Sequence, residues 1–418
     1  MWKRLLIVLG IVALAEYYSF IVVRTVARSL PGNWREAVMA LYITLSLSTW
    51  LGILFFRQIN WAGIPHLLRN VYIAFTLGFV VGKVLILLVM LIDELRRLST
   101  WIYQYFRPQV ETGLTTAQQG TGIPRSAFLS RVALLLGAGV LTGFVYGITN
   151  RYNYKVRRTK IKFPALPDAF RGLKIVQISD IHTGSFDNHE AVGQGIQKVL
   201  DEKPDIILFT GDLVNNMAHE VDAKYQEIFS RLKAPLGVYS VLGNHDYGDY
   251  MHWGSIEEKK KNLEDVKEVH AVMGWRLLIN EHVLLQKGEQ TIALIGIENW
   301  GAKGNFSRYG DMQKAYAGLP EKNIPFQILM SHDPSHWDAQ VRPLYPNVDL
   351  TLSGHTHGMQ VGVEIPGIKW SPIKYMYPQW AGLYQKDKQY LYVNRGFGFL
   401  GYPGRLGILP EITVIELA

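Results

Sequence analysis

The chain has 418 residues, a formal net charge of +8 and no cysteine; the length admits two or three domains, and the missing thiols exclude disulfides, thiolate metal sites and cysteine nucleophiles. Residues 1–160 hold 18 Lys and Arg against 5 Asp and Glu, whereas residues 161–418 hold 25 against 30. The basic excess thus belongs to the apolar N-terminal part, where it reads as a membrane-topology signal and lipid-headgroup contact, and it excludes nucleic acid as the partner of the acidic remainder.

Four apolar runs, at residues 5–23, 37–56, 71–92 and 128–148, approach or exceed the roughly 20 residues a helix needs to cross a bilayer. They predict a four-helix transmembrane region over residues 1–150, and no apolar run of that length follows. The first run lacks the cleavage region of a removable signal peptide. Trp2, Trp34, Trp61, Trp101 and Tyr152 stand near the run ends, as interfacial anchors do. With the N-terminus inside, the inside-facing segments carry ten basic residues against seven outside, which places the C-terminal domain on the cytoplasmic side. Glu16 and Lys83 fall at similar depth in the first and third runs, which suits an ion pair better than a proton or substrate path. Residues 107–127, rich in Gly, Thr and Gln, read as a flexible loop.

After residue 150 short β-rich runs alternate with amphipathic stretches. Strands are expected at 155–163, 173–179, 206–210, 237–242, 291–297, 326–330, 348–352, 390–394 and 411–416. Helices are expected at 189–202, 220–232, 256–273 and 311–317, so residues 151–418 read as one α/β domain with buried sheets.

Five polar clusters follow predicted strands: SDIH (179–182), TGDLVNN (210–216), LGNHD (242–246), SHDP (331–334) and SGHTH (353–357). Each supplies Asp, Asn or His, a donor set suited to Mn, Fe or Zn rather than Ca. Singly, each has an ordinary reading as a cap, a turn or a loop histidine. Together, in this order and each after an apolar run, they can converge at the carboxyl ends of strands, with glycines beside Asp212, Asn244 and His355 letting the backbone turn sharply.

The series DIH, GD, GNHD, H and GHTH resembles the signature of the calcineurin-like metallophosphoesterase superfamily. The lead-in KVRRTKIKFPALPDAFRGLKIVQISDIHTG, the tail GHTHGMQ and the later YVNRGFG are similar to membrane-associated bacterial phosphoesterases akin to UDP-2,3-diacylglucosamine hydrolases. The resemblance spans about residues 153–418 and implies an αββα sandwich of two mixed sheets holding two divalent metal ions. It implies that Asp180, His182 and His357 bind the first metal, that Asn244, His332 and His355 bind the second, and that Asp212 bridges them. It further implies that His245 is the general acid or transition-state stabiliser and that Asp246 orients it. Met359 departs from the pattern, where a glycine is commoner. Two cations so placed lower the pKa of a shared water and neutralise the phosphoryl oxygens during in-line attack.

Protein phosphatases of this superfamily carry an arginine shortly after GD. Here that segment is LVNN, which argues against a phosphoprotein substrate. Residues 363–408 place Trp370, Tyr375, Met376, Tyr377, Trp380, Phe397, Phe399, Leu400 and Tyr402 among the metal loops, either as core or as an apolar rim that meets acyl chains. Arg395 and Arg405 in the same stretch are substrate-phosphate candidates, with solvated surface arginines as the alternative. The sequence therefore points to a membrane-anchored phosphoesterase acting on a phosphate or pyrophosphate ester of a lipid or nucleotide-lipid. UDP-2,3-diacylglucosamine of lipid A synthesis, in a bacterial inner membrane, is the substrate the resemblance implies. A general phosphodiesterase or nucleotide phosphatase tethered to the membrane, and a non-catalytic membrane sensor, are the rival readings.

Overall fold

Long stretches of Leu, Ile, Val and Ala free of internal proline carry the N-terminal runs through whole helices. The computed structural model describes residues 2–56, 58, 59, 61–106, 125–304, 306–319 and 322–418, and the chain divides into two compact units, Met1–Tyr146 and Gly147–Ala418. The first holds α1 (Trp2–Ala27), α2 (Gly32–Leu54), α3 (His66–Tyr105) and α4 (Arg125–Gly147). Each contains a segment long and apolar enough to cross a membrane. Pro31 and Pro65 stand just before α2 and α3, where a missing N–H costs the helix nothing. Helix α3 runs on past the apolar stretch ending at Ile92. No Gly or Pro interrupts it there, and Asp93 pairs with Arg96 at 3.1 Å and Arg97 at 2.9 Å along one face. The loop expected at 107–127 lies outside the described residues as far as residue 124.

Small residues let α3 and α4 approach closely. A side-chain carbon on Gly82 would sit 2.8 Å from the Gly137 carbonyl, and one on Gly78 2.8 Å from Phe144, the close contact that a glycine repeat allows in a membrane. Glu16 of α1 is joined to α2 and α3 by a polar network. One carboxylate oxygen accepts from Tyr42 at 2.8 Å and Ser46 at 2.7 Å, the other from Trp50 at 3.0 Å and Lys83 at 2.6 Å. These four donors fill the acceptor capacity of the carboxylate, so the pair acts as a staple between helices.

The second unit stacks two six-stranded sheets. In spatial order the first is β1 (Lys155–Ile161), β14 (Glu411–Leu417), β2 (Lys174–Ile178), β3 (Ile206–Phe209), β4 (Val238–Ser240) and β5 (Arg276–Leu277). The second is β12 (Gly382–Lys386), β13 (Gln389–Val393), β9 (Leu350–Ser353), β8 (Gln327–Met330), β7 (Gln290–Gly296) and β6 (Glu281–Lys287). Both are mixed: β14 runs antiparallel to β2, and β6 and β12 run antiparallel to their neighbours. A separate ribbon pairs β10 (Val363–Ile365) with β11 (Ile368–Trp370).

Ile175, Leu208, Leu294, Ile328 and Leu350 fill the layer between the sheets. Helices α5 (His189–Asp201), α6 (Ala223–Ser230) and α7 (Ile256–Val272) lie in the chain on the connections of the first sheet, and α8 (Met312–Tyr316) on those of the second. Val192, Ile196, Phe229 and Val266 seal the first outer layer; Met312 and Ala315 seal the second. Asn188, Asp222, Ser255 and Asp311 cap these helices with side-chain oxygens. The result is the αββα sandwich expected from the sequence.

Candidate metal centre

The five polar clusters leave the carboxyl ends of β2, β3, β4, β8 and β9, three strands of one sheet and two of the other. Parallel strands direct those ends the same way, so the loops meet at one rim. Loop-to-loop bonds lock them: the Asp180 N–H donates to the Gly211 carbonyl at 2.9 Å, and the Ile181 and His182 N–H groups to the Asp212 carbonyl at 2.8 and 3.1 Å. The His355 N–H donates to Asp180 Oδ1 at 2.8 Å and the His245 N–H to Asp212 Oδ1 at 2.9 Å.

Backbone strain concentrates here. Asp180, His182, Asp212, His355 and His357 all adopt left-handed φ values, from 48° to 71°. Such conformations cost on the order of 1 kcal/mol or more each and persist where the surroundings over-determine them. Gly396 (φ 84°) packs against the cluster; a side-chain carbon there would lie 2.8 Å from His357 Nδ1.

The side chains fall into two overlapping clusters. Asp180, His182 and His357 bring one donor atom each within 4.8 Å of one another, as do Asp180, Asp212 and His332. Asp212 Oδ2 lies 3.5 Å from His182 Nε2 and 3.1 Å from His332 Nε2, between the two. Asn244 Oδ1 is 3.2 Å from His332 Nε2 and 2.8 Å from His355 Nδ1. All seven expected ligands are thus brought together. His182 Nε2 and His357 Nε2 face each other at 3.0 Å, with Asp180 Oδ1 3.4 Å from the latter. Three buried lone-pair donors directed at one point are what a divalent cation satisfies.

Electrostatics agree with that fit at three of the histidines. Burial pushes His182 down to about 3 and lowers His355; burial, reinforced by His182, holds His357 well below the usual range. These rings therefore keep the neutral form that binds a metal. Burial pushes the Asp180 carboxyl up. Burial opposes ionisation of Asp212 too, but His332 and His245 hold it well below the usual carboxylate range. Against its own burial, His332 is drawn up to about 10 by the Asp212 charge.

His245 is half-buried at the edge of the cluster, its ring 4.9 Å from that of His182. Its Nδ1 lies 2.8 Å from the Asn215 carbonyl. Among the described residues no hydrogen bond joins it to Asp246, which differs from the orienting role expected of that residue. Asp246 is fully buried, and its oxygens accept backbone N–H groups of Asp212 (2.9 Å), Leu213 (2.8 Å), Val214 (3.2 Å) and Gly243 (2.8 Å). It ties the GD loop to the GNHD loop.

Arg395 and Arg405 are buried among protein partners. Arg395 Nη1 pairs with Glu411 at 2.5 Å and Nη2 with Glu364 at 2.7 Å. Arg405 donates to the carbonyls of Arg395 (2.7 Å), His357 (3.2 Å), Gly396 (3.2 Å) and Gly398, and its Nη2 lies 3.3 Å from His357 Nδ1. Both arginines brace the loop behind His357. The aromatic stretch divides: Tyr377, Trp380, Phe397, Phe399 and Tyr402 are buried, whereas Trp370, Tyr375 and Met376 are exposed and Leu400 is intermediate.

Of three further neighbours of the cluster, sequence reasoning passes over Tyr250 and gives no role to Asp333 or Tyr377, though both lie in stretches it singles out. Asn244 Nδ2 donates to the Tyr250 hydroxyl at 2.8 Å, and that ring lies 4.5 Å from His245. Tyr377 Oη is 2.9 Å from His355 Nε2 and donates to Asp333 Oδ2 at 3.2 Å. Asp333 stands beside His332 in SHDP and had a positional signal; Tyr250 and Tyr377 had none beyond being aromatic.

Residues 173–359 match the calcineurin-like phosphoesterase family, and residues 3–151 match the family described as "Probable Calcineurin-like phosphoesterase, transmembrane domain". The chain is 31% identical over 304 residues to an uncharacterized metallophosphoesterase of Bacillus subtilis, covering 70% of this chain and 97% of that protein. It is 30% identical over 305 residues to a transmembrane protein with metallophosphoesterase domain of Danio rerio, covering 71% of this chain and 64% of the relative. To a UDP-2,3-diacylglucosamine pyrophosphatase of Chlamydia trachomatis it is 27% identical over 311 residues, 63% of this chain and 89% of that one.

Proposed function

The chain belongs to the calcineurin-like metallophosphoesterases, hydrolases of phosphoester bonds that use divalent metals, and from that premise we propose that this membrane-integral member hydrolyses a phosphate or pyrophosphate ester carried by a lipid. The observation that carries the reading is the convergence of seven Asp, Asn and His donors, six of them buried and His355 partly so, at one strand rim, in a chain that also holds four segments long and apolar enough to span a membrane. Likeness to the chlamydial pyrophosphatase supports UDP-2,3-diacylglucosamine as the first substrate to try. The basic excess of the inside-facing segments supports a cytoplasmic catalytic unit.

In this reading Asp180, His182 and His357 hold one cation, Asn244, His332 and His355 the other, and Asp212 lies between them. Mn, Fe or Zn in these positions supplies Lewis-acid polarisation of phosphoryl oxygens and an acidified water. The neutral rings of His182, His355 and His357 keep their lone pairs directed inward. The Asn215 carbonyl accepts from the Nδ1–H of His245, which orients the ring, and when Nε2 also carries a proton it can donate to the departing oxygen or to an equatorial one. Asp246 holds the two loops that carry Asp212 and Asn244 in register, and Asp333 steadies His355 through the Tyr377 hydroxyl.

The test is hydrolysis of bis-p-nitrophenyl phosphate by the full chain in detergent with Mn²⁺, beside Asp212→Ala and His245→Ala. Loss in both, with a lower KM for acylated than for soluble esters, is the expected result. Activity unchanged in Asp212→Ala would remove the site assignment. Equal preference for soluble esters would replace the lipid reading with that of a tethered phosphodiesterase.

A further inference from the structure

The ribbon β10–β11 is built inside out. Its register pairs Val363 with Trp370, Glu364 with Lys369 and Ile365 with Ile368. Alternation along a strand therefore puts the two charges on one face and the four apolar side chains on the other. The charged face is the one held against the protein. Glu364 bonds Arg395 at 2.7 Å and Arg157 at 2.6 Å, and the Lys369 ammonium donates to the Ala381 carbonyl. Arg395 is itself buried, so these bonds fix which way the ribbon faces. The apolar face is left outward, its four side chains 36–56% exposed.

The exposed face continues beyond the ribbon. Ser371 Oγ donates to the Gly358 carbonyl at 2.7 Å, which brings Met359 beside the end of β11. Met359 holds a left-handed φ of 56° and is exposed, and Tyr375 and Met376 in the turn after Ser371 are exposed as well. Seven large apolar side chains are thus exposed on the ribbon and on the turns that adjoin it, one of them in the loop that carries His355 and His357. A patch of that kind marks an interaction surface.

Two observations select its occupant. The last membrane-spanning segment ends at Asn150 and β1 begins at Lys155, and four extended residues reach only about 13 Å. A bilayer is the apolar phase that this unit cannot leave. The patch also has interfacial chemistry: Trp370 and Tyr375 are amphipathic aromatics, Lys374 lies 5.2 Å from the Tyr375 ring, and the Lys303 ammonium sits 2.6 Å from the Met376 carbonyl. Aromatics beside ammonium groups match the headgroup boundary of an anionic membrane.

We propose that the outward face of β10–β11, with Met359, Tyr375 and Met376, inserts into the headgroup–acyl boundary of the bilayer and holds the metal loop at the lipid surface. The catalytic consequence rests on the lipid-ester reading above; the insertion does not.

The absence of cysteine allows a direct test in the full chain. Ile368→Cys carries a single nitrobenzoxadiazole label, with Lys260→Cys on α7 as the comparison, each reconstituted in phosphatidylethanolamine–phosphatidylglycerol vesicles. The label at position 368 is expected to emit to the blue of the one at 260 and to be quenched by lipids bearing nitroxide on the acyl chain. In parallel, Ile365→Ser combined with Ile368→Ser should leave bis-p-nitrophenyl phosphate hydrolysis in detergent unchanged and lower hydrolysis of a vesicle-borne phosphoester at least ten-fold. Aqueous iodide reaching position 368 as readily as position 260 would overturn the proposal. So would shielding that ignores lipid nitroxide and grows with protein-to-lipid ratio, which would assign the face to a second copy. An inserted label with no lipid ester cleaved would leave the insertion standing and remove the lipid-ester reading.

Discussion

Asp246 is next to His245 in the chain, yet its carboxylate is fully engaged by four backbone N–H groups of the Asp212 and Asn244 loops. It therefore acts on the reaction through loop position. Asp246→Ala strands four buried donors, which costs about 3 kcal/mol or more, and should lower kcat at least 100-fold. Asp246→Asn keeps one acceptor oxygen and should recover part of the loss. The pH–rate profile of the Asn variant should match that of wild type, because the group that touches the His245 ring is the Asn215 carbonyl. A displaced profile would return Asp246 to the role the sequence suggested. The left-handed φ values at Asp180, His182, Asp212, His355 and His357 carry no mark in the sequence. Side-chain identity names these residues, and only the fold shows that their backbone is bent into place against the preference of a residue with a Cβ.

At the scale of elements, the Glu16 staple joins three helices through one carboxylate. Glu16→Gln removes the charge that faces Lys83, which is buried to 4% exposure, and should destabilise the full chain by up to about 4 kcal/mol. The double substitution Glu16→Gln with Lys83→Met should restore much of that, as read by thermal unfolding in detergent. If the double variant melts no higher than the single one, the pair is not what holds these helices. Legibility follows the same physical line. Strands β2, β3, β4, β8 and β9 were readable because each is a short, mostly apolar and mostly buried run stopped by a polar cluster. Strand β5 has two residues, too few to show a period. Strand β6 has alternating burial, but its charged ends and the turn at Gly288 blur its edges. The β10–β11 ribbon inverts the usual rule, with its polar side turned inward, so the choice between core and rim for Trp370, Tyr375 and Met376 could not be made before the Glu364 partners were known.

At the scale of the whole molecule, His270 sets part of the acid limit. It is fully buried in α7, neither ring nitrogen has a hydrogen-bond partner among the described residues, and burial pushes it down to about 3 from an unfolded value near 6.5. Below that unfolded value the unfolded chain binds a proton that the folded chain refuses. The contribution is thus fully present above about pH 6.5 and is lost as pH falls toward 3. By linkage the loss is about 2 kcal/mol between pH 6.5 and 5. His270→Phe should flatten the stability profile over that interval and leave the profile above pH 7 parallel to wild type, measured by denaturant unfolding across pH. An unchanged acid slope would mean that other groups set the limit.

Glu364 of the ribbon pairs with Arg395, the Arg395 carbonyl accepts from Arg405, and Arg405 in turn donates to the His357 carbonyl. An outward-facing ribbon and an inward-facing donor are thereby the two ends of one short run of charged contacts. Reciprocity then constrains them. If seating the ribbon in a lipid phase strengthens cation binding by some factor, cation binding must strengthen seating by the same factor. Such a molecule would lose its cofactor more readily in detergent than in its native bilayer, and would be most fully assembled at the lipid surface itself.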